Sequence, residues 1–203
     1  MLPRDLLERA LHGLLPVPAA TPWNLPDVAD LLPAEPLRPA AVLVGLREHA
    51  RGTTVLLTRR QDALRHHAGQ ISFPGGRVDL IDAGPLAAAL RETEEEVGLP
   101  AAAIEPLGWL DPYATITGFH VYPLVARIDP ERPLLPNADE VAEAFEVPLE
   151  FLMDPASARD LAVEWRGRTR MLVEFQWAEH RIWGATAAML VNLRERLRPP
   201  GSA

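Results

Sequence analysis

A glycine turn followed by a glutamate-rich helix is predicted for residues 75–99, whose sequence is GGRVDLIDAGPLAAALRETEEEVGL. At about 100° per residue, Glu92, Glu95 and Glu96 share one stripe of this helix, and the apolar residues lie on another side. We therefore expect the apolar side to be buried and the three carboxylates to face away from the core. Glu94 points elsewhere and is expected to be solvated.

Three carboxylates on one helix stripe repel each other, at a cost of about a few tenths of a kcal/mol per pair in an exposed helix. A bound divalent cation would remove this cost, and carboxylate oxygens are ligands that suit Mg²⁺ or Mn²⁺. The charge pattern alone is equally compatible with an ordinary solvated acidic surface.

The spacing of these residues resembles the Nudix box, G-x5-E-x7-R-E-U-x-E-E-x-G-U, in which U is a bulky aliphatic residue. The matching positions are Gly76, Arg91, Glu92, Glu95, Glu96, Gly98 and Leu99. Thr93 occupies the first aliphatic position. The upstream acidic position is displaced by a one-residue insertion, and Asp82 is the nearest acidic substitute, so the role of that position stays open.

This resemblance implies an α/β/α sandwich with a mixed β-sheet and a metal-dependent hydrolase of diphosphates. It implies that Glu92 and Glu96 bind the metal, that Glu95 either binds it or accepts a proton from water, and that a Gly75 carbonyl faces it. Arg91 would orient the carboxylates through salt bridges. Glu140 is a candidate for a further base or metal ligand, and the start of an exposed helix is an equally good interpretation of that residue.

A second signature lies directly upstream and resembles the motif of the coenzyme A diphosphatase branch of the Nudix family, LLTxR[SA]x3Rx3Gx3FPGG. Gln61 is the one departure, because the branch has Ser or Ala there. Coenzyme A carries about four negative charges, and arginines bind phosphate oxygens in pairs. By resemblance, the substrate-binding residues are Arg60, Arg65, His67, Gly69 and Phe73.

Composition excludes several other classes of protein. The chain has 203 residues, a net charge of −8, no cysteine, and arginine as its only basic residue apart from histidine. Thiol and lysine chemistry are therefore excluded, and broad nucleic-acid binding is disfavoured. No apolar run approaches the ~18 residues of a membrane span. We expect a cytoplasmic protein with a small-molecule substrate and no nucleic-acid or membrane partner. The sequence does not determine the oligomeric state, and a homodimer is one of the options.

Residues 1–39 are predicted to form an N-terminal helix (residues 4–15) and a proline-rich extended segment (16–39) that wraps the surface. Residues 40–198 form a single catalytic domain, and residues 199–203 form a tail. The predicted elements of the domain, besides the glutamate helix, are a hairpin of residues 40–46 and 54–58, strands at 70–73, 104–110 and 119–128, a short helix at 148–153, a hairpin of 161–165 and 168–175, and a helix at 183–197.

Together these features predict a Mg²⁺- or Mn²⁺-dependent enzyme that hydrolyses coenzyme A, and its thioesters by extension, to 3′,5′-ADP and 4′-phosphopantetheine. Two alternatives remain at this point. One is a Nudix hydrolase of another nucleoside diphosphate, such as ADP-ribose or NADH, and the other is a catalytically weak sensor that binds coenzyme A or a nucleotide.

Overall fold

The computed structural model describes residues 3–62, 68–165 and 167–198. The helices are α1 (Arg4–Ala10), α2 (Leu25–Val28), α3 (Pro85–Val97), α4 (Leu149–Met153) and α5 (Gly184–Leu197). The strands are β1 (Arg38–His49), β2 (Gly52–Arg60), β3 (Ile71–Ser72), β4 (Gly75–Arg77), β5 (Ile104–Trp109), β6 (Tyr113–Thr115), β7 (Phe119–Ile128), β8 (Val141–Pro148), β9 (Ala158–Trp165), β10 (Arg168–Trp177) and β11 (His180–Trp183). None of the described helices is long and apolar enough to cross a membrane.

The central hairpin is formed by β1 and β2, which pair antiparallel with His49 opposite Gly52. Both strands contain runs of β-branched and aliphatic residues, which favour a buried strand. The predicted hairpin of residues 40–46 and 54–58 is confirmed, and both strands are longer than predicted.

A mixed sheet is built around β1, with the strand order β3-β2-β1-β7-β5. Strand β1 pairs antiparallel with β2 and β4 and parallel with β7. Strand β8 lies beside β2, and β6 lies beside β7. Helix α3 covers one face of the sheet, and α1, α4 and α5 cover the other. The predicted α/β/α sandwich with a mixed sheet is confirmed.

The two faces of the sheet are packed separately because side chains alternate along each strand. Leu43 and Leu56 point to the α3 face, and their chain neighbours Val44 and Leu57 point to the α5 face. All four are completely buried. Burial of each such aliphatic side chain stabilises the fold by about 1.5–3 kcal/mol, so the sheet is a rigid platform for the residues at its ends.

A smaller antiparallel sheet, β9-β10-β11, follows the main one. Its first hairpin confirms the one predicted for residues 161–165 and 168–175. Phe175 and Ile182 are fully buried in the same cluster as Leu190 and Leu193 of α5. The predicted helices at 148–153 and 183–197 correspond to α4 and α5.

Three local predictions for the N-terminal and acidic segments are wrong. Helix α1 ends at Ala10 instead of residue 15, because His12 pairs with Trp109 in a β-bridge. The proline-rich segment contains helix α2, whose Pro26 lies in the first turn, where a missing N–H costs nothing. Glu140 precedes strand β8, so the interpretation as a helix start is wrong.

Candidate active site

Strand β4 brings two glycines against β1 and α3, and each glycine is required by a close approach. Gly75 has φ of 147°, and a Cβ there would lie 2.4 Å from the carbonyl oxygen of Ala41. A Cβ on Gly76 would lie 2.5 Å from the carboxyl carbon of Glu92. Real Cβ atoms do not approach so closely, so the Gly-Gly pair is what lets the helix carboxylate lie on the strand.

Helix α3 begins at Pro85, directly after Gly84, and ends at Val97, which is followed by Gly98 in the left-handed conformation with φ of 69°. These are ordinary start and stop signals for a helix. They place the glutamates in its last two turns. Thr93, the deviation from the box, is fully buried, and its hydroxyl donates to the Ala89 carbonyl at 2.7 Å, so its polar group is satisfied.

Glu96 is buried, with only 3% of its surface exposed, which corrects the expectation that all three carboxylates face away from the core. Its Oε1 lies 3.7 Å from Nη1 of Arg60, and its Oε2 is buried without a hydrogen-bond partner in the part of the chain that the structure describes. Burial raises the pKa of Glu96 to about 8, with Arg60 opposing this and the charges of Glu92 and Glu140 adding to it. A neutral carboxyl is therefore favoured at neutral pH when no cation is bound.

Glu92 and Glu95 are in different environments, although they lie on the same helix. The side chain of Glu92 is 17% exposed and that of Glu95 is 53% exposed. Burial raises the pKa of Glu92, Arg91 opposes this increase, and the charges of Glu95 and Glu140 add to it. Glu94 is exposed, as expected.

Arg91 connects the helix carboxylates to the turn that precedes the helix. Its Nη1 donates to Glu92 at 3.0 Å and to Glu95 at 2.9 Å. Its Nε and Nη2 donate to the two carboxylate oxygens of Asp82, each at 2.9 Å. A fifth contact, from Nη2 to the carbonyl of Arg77 at 3.2 Å, ties the guanidinium to β4. All these contacts use the planar fork of donors that only arginine has.

Asp82, displaced in the sequence pattern, is therefore placed as the principal partner of Arg91. Its side chain is only 4% exposed, and its hydrogen bonds to Arg91 lower its pKa. The Asp79 backbone N–H donates to Asp82 Oδ2 at 2.8 Å and closes an exposed turn, where Leu80 and Ile81 project into solvent. Gly76 and Asp82 keep the usual spacing of five residues, so the inserted residue lies between Asp82 and Arg91.

Glu140 lies in the turn before β8, and its charge is close enough to raise the pKa values of both Glu92 and Glu96. The turn is attached to the end of α3 by the Asn137 N–H, which donates to the Glu96 carbonyl at 2.9 Å. Of the residues singled out from the sequence, the structure thus places Glu140 near Glu92 and Glu96, and Glu95 near Glu92.

The upstream motif contributes residues of different kinds. Arg60 lies at the end of β2 on the α3 side of the sheet, beside Glu96. Gly69 has φ of 67°, and a Cβ there would lie 2.8 Å from Oδ1 of Asp62, so this turn requires glycine. Phe73 is 1% exposed and packs in the core, which argues against contact of its ring with substrate. Arg65 and His67 lie outside the described residues.

Within the described parts of the chain, no three acidic or histidine side chains are gathered closely enough to hold a metal ion as they stand. The carboxylates instead have arginines as neighbours: Arg91 donates hydrogen bonds to Glu92 and Glu95, and Arg60 lies beside Glu96. The donor set nevertheless fits a hard cation, because Glu96 Oε2 is buried without a partner among the described residues. Burial, and after it the charges of Glu92 and Glu140, raise the pKa of Glu96, and a bound cation would offset both effects.

A cavity of about 610 Å³ lies at the turn between β1 and β2, where His49, Arg51 and Glu150 are among its lining residues. This turn is at the opposite end of β2 from Arg60, so the cavity is separate from the carboxylates. The geometry of the carboxylates, and not cavity size, identifies the candidate site.

Sequence comparison places the chain in a known family. A family model described as the NUDIX domain matches residues 36–168. The proteins called "Uncharacterized Nudix hydrolase NudL" in Salmonella paratyphi B and Salmonella newport are each 43% identical over 157 residues, which cover 77% of this chain and 81% of theirs.

Structural comparison agrees at the level of the fold. The crystal structure of a MutT/nudix family protein from Enterococcus faecalis matches with a TM-score of 0.52 at 19% identity, covering 81% of this chain and 63% of that one. With the glutamates of α3 and the guanidinium that joins them, these matches show that the chain belongs to the Nudix family and is a hydrolase that acts on phosphoric anhydrides.

Proposed function

We propose that this Nudix hydrolase cleaves the diphosphate of coenzyme A, and of its thioesters, to give 3′,5′-ADP and 4′-phosphopantetheine or its acylated form. The observation that supports this most directly is the position of Arg60. Arg60 belongs to the upstream motif, and its guanidinium lies 3.7 Å from the carboxylate of Glu96, which belongs to the Nudix box. Arg60, which is expected to bind the substrate's phosphates, therefore lies beside Glu96, which is expected to bind the metal ion.

Arg60 is suited to an anionic substrate because its charge is incompletely used. Its Nε is buried without a hydrogen-bond partner among the described residues, and its contact with Glu96 is longer than a hydrogen bond. A phosphate oxygen would supply the missing acceptor and would form a charge-assisted hydrogen bond. In a protein of net charge −8, such a local cation is needed to receive a substrate with several phosphates.

Nudix enzymes generally use divalent metal ions, and we propose Mg²⁺ or Mn²⁺ for this one. Glu92 and Glu96 would hold the ion, with Glu95 and the Gly75 carbonyl as further oxygen ligands. When bound, such an ion supplies Lewis-acid polarisation of the phosphoryl oxygens and lowers the pKa of water.

The side chains divide the remaining work. Water attacks one phosphorus of the diphosphate, the bond to the bridging oxygen breaks, and the leaving phosphate takes that oxygen. Arg60 stabilises negative charge that develops on the phosphoryl oxygens. Arg91 keeps Glu92 and Glu95 in place. Glu140 is the better candidate to accept the proton of water, since it lies near both Glu92 and Glu96 and an oxygen of Glu95 is bound to Arg91.

Product analysis tests the proposal. The purified enzyme is incubated with coenzyme A and either Mg²⁺ or Mn²⁺, and the products are separated by chromatography. We expect 3′,5′-ADP and 4′-phosphopantetheine in equal amounts, with no release in the presence of excess chelator. Coenzyme A that stays intact while another nucleoside diphosphate derivative is cleaved would contradict the proposal.

A further inference from the structure

Gln61 is the one position at which the upstream motif departs from its usual form, and its side chain makes a specific contact. Its Nε2 donates to the carbonyl oxygen of Ala138 at 2.8 Å, and its backbone N–H donates to the carbonyl of Glu140 at 2.9 Å. Both acceptors belong to the turn that carries Glu140. A serine or alanine could keep the backbone bond but is too short to make the side-chain bond.

The turn of residues 137–140 is held from two sides. On one side the Asn137 N–H donates to the Glu96 carbonyl, and within the turn the Glu140 and Val141 N–H groups donate to the Asn137 carbonyl at 3.0 and 2.8 Å. Gln61 holds the other side. This attachment opposes the repulsion between the charges of Glu140 and Glu92, which would otherwise favour movement of the turn away from the site.

We propose that Gln61 is a positioning residue, which holds the turn of residues 137–140 so that the carboxylate of Glu140 faces Glu92 and Glu96. The inference rests on the role that the proposed function gives to Glu140. It does not depend on coenzyme A being the substrate, because the same turn would serve hydrolysis of any phosphoric anhydride at this site.

The chain offers a matched control. Gln176 makes the same kind of bond at the same length, from its Nε2 to the carbonyl of Ala178 at 2.8 Å, on the hairpin of β10 and β11. Gln61→Met and Gln176→Met both keep the size of the side chain and remove its donor. Only the first removes a bond to the turn of Glu140.

Hydrogen exchange in metal-free protein is the first measurement. Loss of one net hydrogen bond corresponds to a factor of roughly three to ten in the equilibrium for local opening. We expect Gln61→Met to speed exchange by that factor in peptides covering residues 137–141, and Gln176→Met to leave those peptides unchanged. Unchanged exchange in Gln61→Met would overturn the proposal, whatever the enzyme's substrate.

A double-mutant cycle is the second measurement, made with whichever anhydride the enzyme hydrolyses. We expect Gln61→Met to lower kcat by roughly three- to tenfold with little change in KM, and to have no further effect in a Glu140→Gln background. An equal loss in both backgrounds would show that Gln61 does not act through Glu140 and would overturn the proposal. Failure of coenzyme A as a substrate would leave both readouts interpretable and would count only against the proposed function.

Discussion

Arg91 binds both carboxylate oxygens of Asp82, at 2.9 Å from Nε and 2.9 Å from Nη2, and this bidentate pair anchors the guanidinium that also holds Glu92 and Glu95. The one-residue insertion in the box does not remove the acidic partner of Arg91. The extra residue lies between Asp82 and Arg91, and the turn closed between Asp79 and Asp82 directs the shorter aspartate carboxylate to the arginine.

Asp82→Asn should therefore weaken both stability and turnover. It removes the charge of a buried partner, and we expect a loss of about 1–3 kcal/mol in the free energy of unfolding. We also expect kcat to fall at least about tenfold, because Arg91 would no longer be fixed beside Glu92 and Glu95. Urea unfolding and steady-state kinetics measure the two effects.

Asp79→Asn is the matched control for that change. The Asp79 carboxylate lies 3.9 Å from Arg91, and its side chain is 59% exposed, so we expect its loss to alter stability by less than about 0.5 kcal/mol. Similar losses of stability and of kcat in the two variants would show that Asp82 has no special role.

The contribution of Asp82 to stability should depend on pH. Because the pKa of Asp82 is lowered in the folded state, this contribution is present above its unfolded pKa and is lost as pH falls through the folded pKa.

Glu96→Gln should stabilise the metal-free protein and abolish turnover. The folded-state pKa of Glu96 is about 8, above the ordinary value of 4.5, so the folded state binds more protons than the unfolded state between these values. The stability of metal-free wild type should therefore fall as pH rises from about 5 to 8, by up to a few kcal/mol. Glutamine is neutral throughout and removes this decline.

Thermal unfolding at several pH values, with chelator present, measures this difference. Glu94→Gln is the control, since Glu94 is an exposed glutamate of the same helix and should leave the pH dependence unchanged. A metal-free Glu96→Gln protein that is much less stable than wild type at pH 8 would rule out the assignment of Glu96 as a buried, strained carboxylate.

Gly76→Ala tests the contact between strand β4 and Glu92. The new Cβ would meet the carboxylate 2.5 Å away, and the end of a flexible side chain can move aside. We expect a folded protein whose kcat is lowered roughly tenfold or more, since misplacement by about 1 Å at an active site can cost more than this. Gly13→Ala, where only one backbone oxygen lies 4.0 Å away, should have wild-type kcat. Wild-type activity in both variants would mean that the position of Glu92 is unimportant.

Arg60→Ala tests the contribution of the upstream motif to substrate binding. Loss of a charge-assisted contact to phosphate corresponds to roughly a ten- to hundredfold increase in KM for coenzyme A. Arg51→Ala removes an exposed arginine at the far end of β2 and serves as the control. An unchanged KM in Arg60→Ala would exclude Arg60 from the substrate site, and steady-state kinetics with varied coenzyme A decide between the outcomes.

The sequence predicted the features that depend on local pattern. The β1–β2 hairpin follows from apolar runs flanking a polar turn, and the glutamate-rich helix follows from the apolar residues that share one of its sides. The burial of Glu96 could not be predicted, because it depends on how α3 packs against β1 and β4. The partnership of Asp82 with Arg91 could not be predicted from residue spacing either, since it depends on how the turn before α3 directs the Asp82 carboxylate.

Short strands were missed for a related reason. Strand β4 contains two glycines and no apolar run, and only its pairing with β1 defines it. Strand β8 carries Glu143 and Glu146 among apolar residues, and the acidic pattern suggested a helix. Gln61 was visible only as a departure from the motif, and its contact with Ala138 depends on a turn 77 residues away.

The specificity constant for coenzyme A, compared with those for ADP-ribose and NADH in the same buffer with Mg²⁺, tests the central claim most directly. We expect a kcat/KM for coenzyme A at least about tenfold above either of the others, since differential binding of one phosphate by arginine is worth about that much. A higher kcat/KM for ADP-ribose or NADH would contradict the substrate assignment and leave the carboxylate site as that of a different Nudix hydrolase.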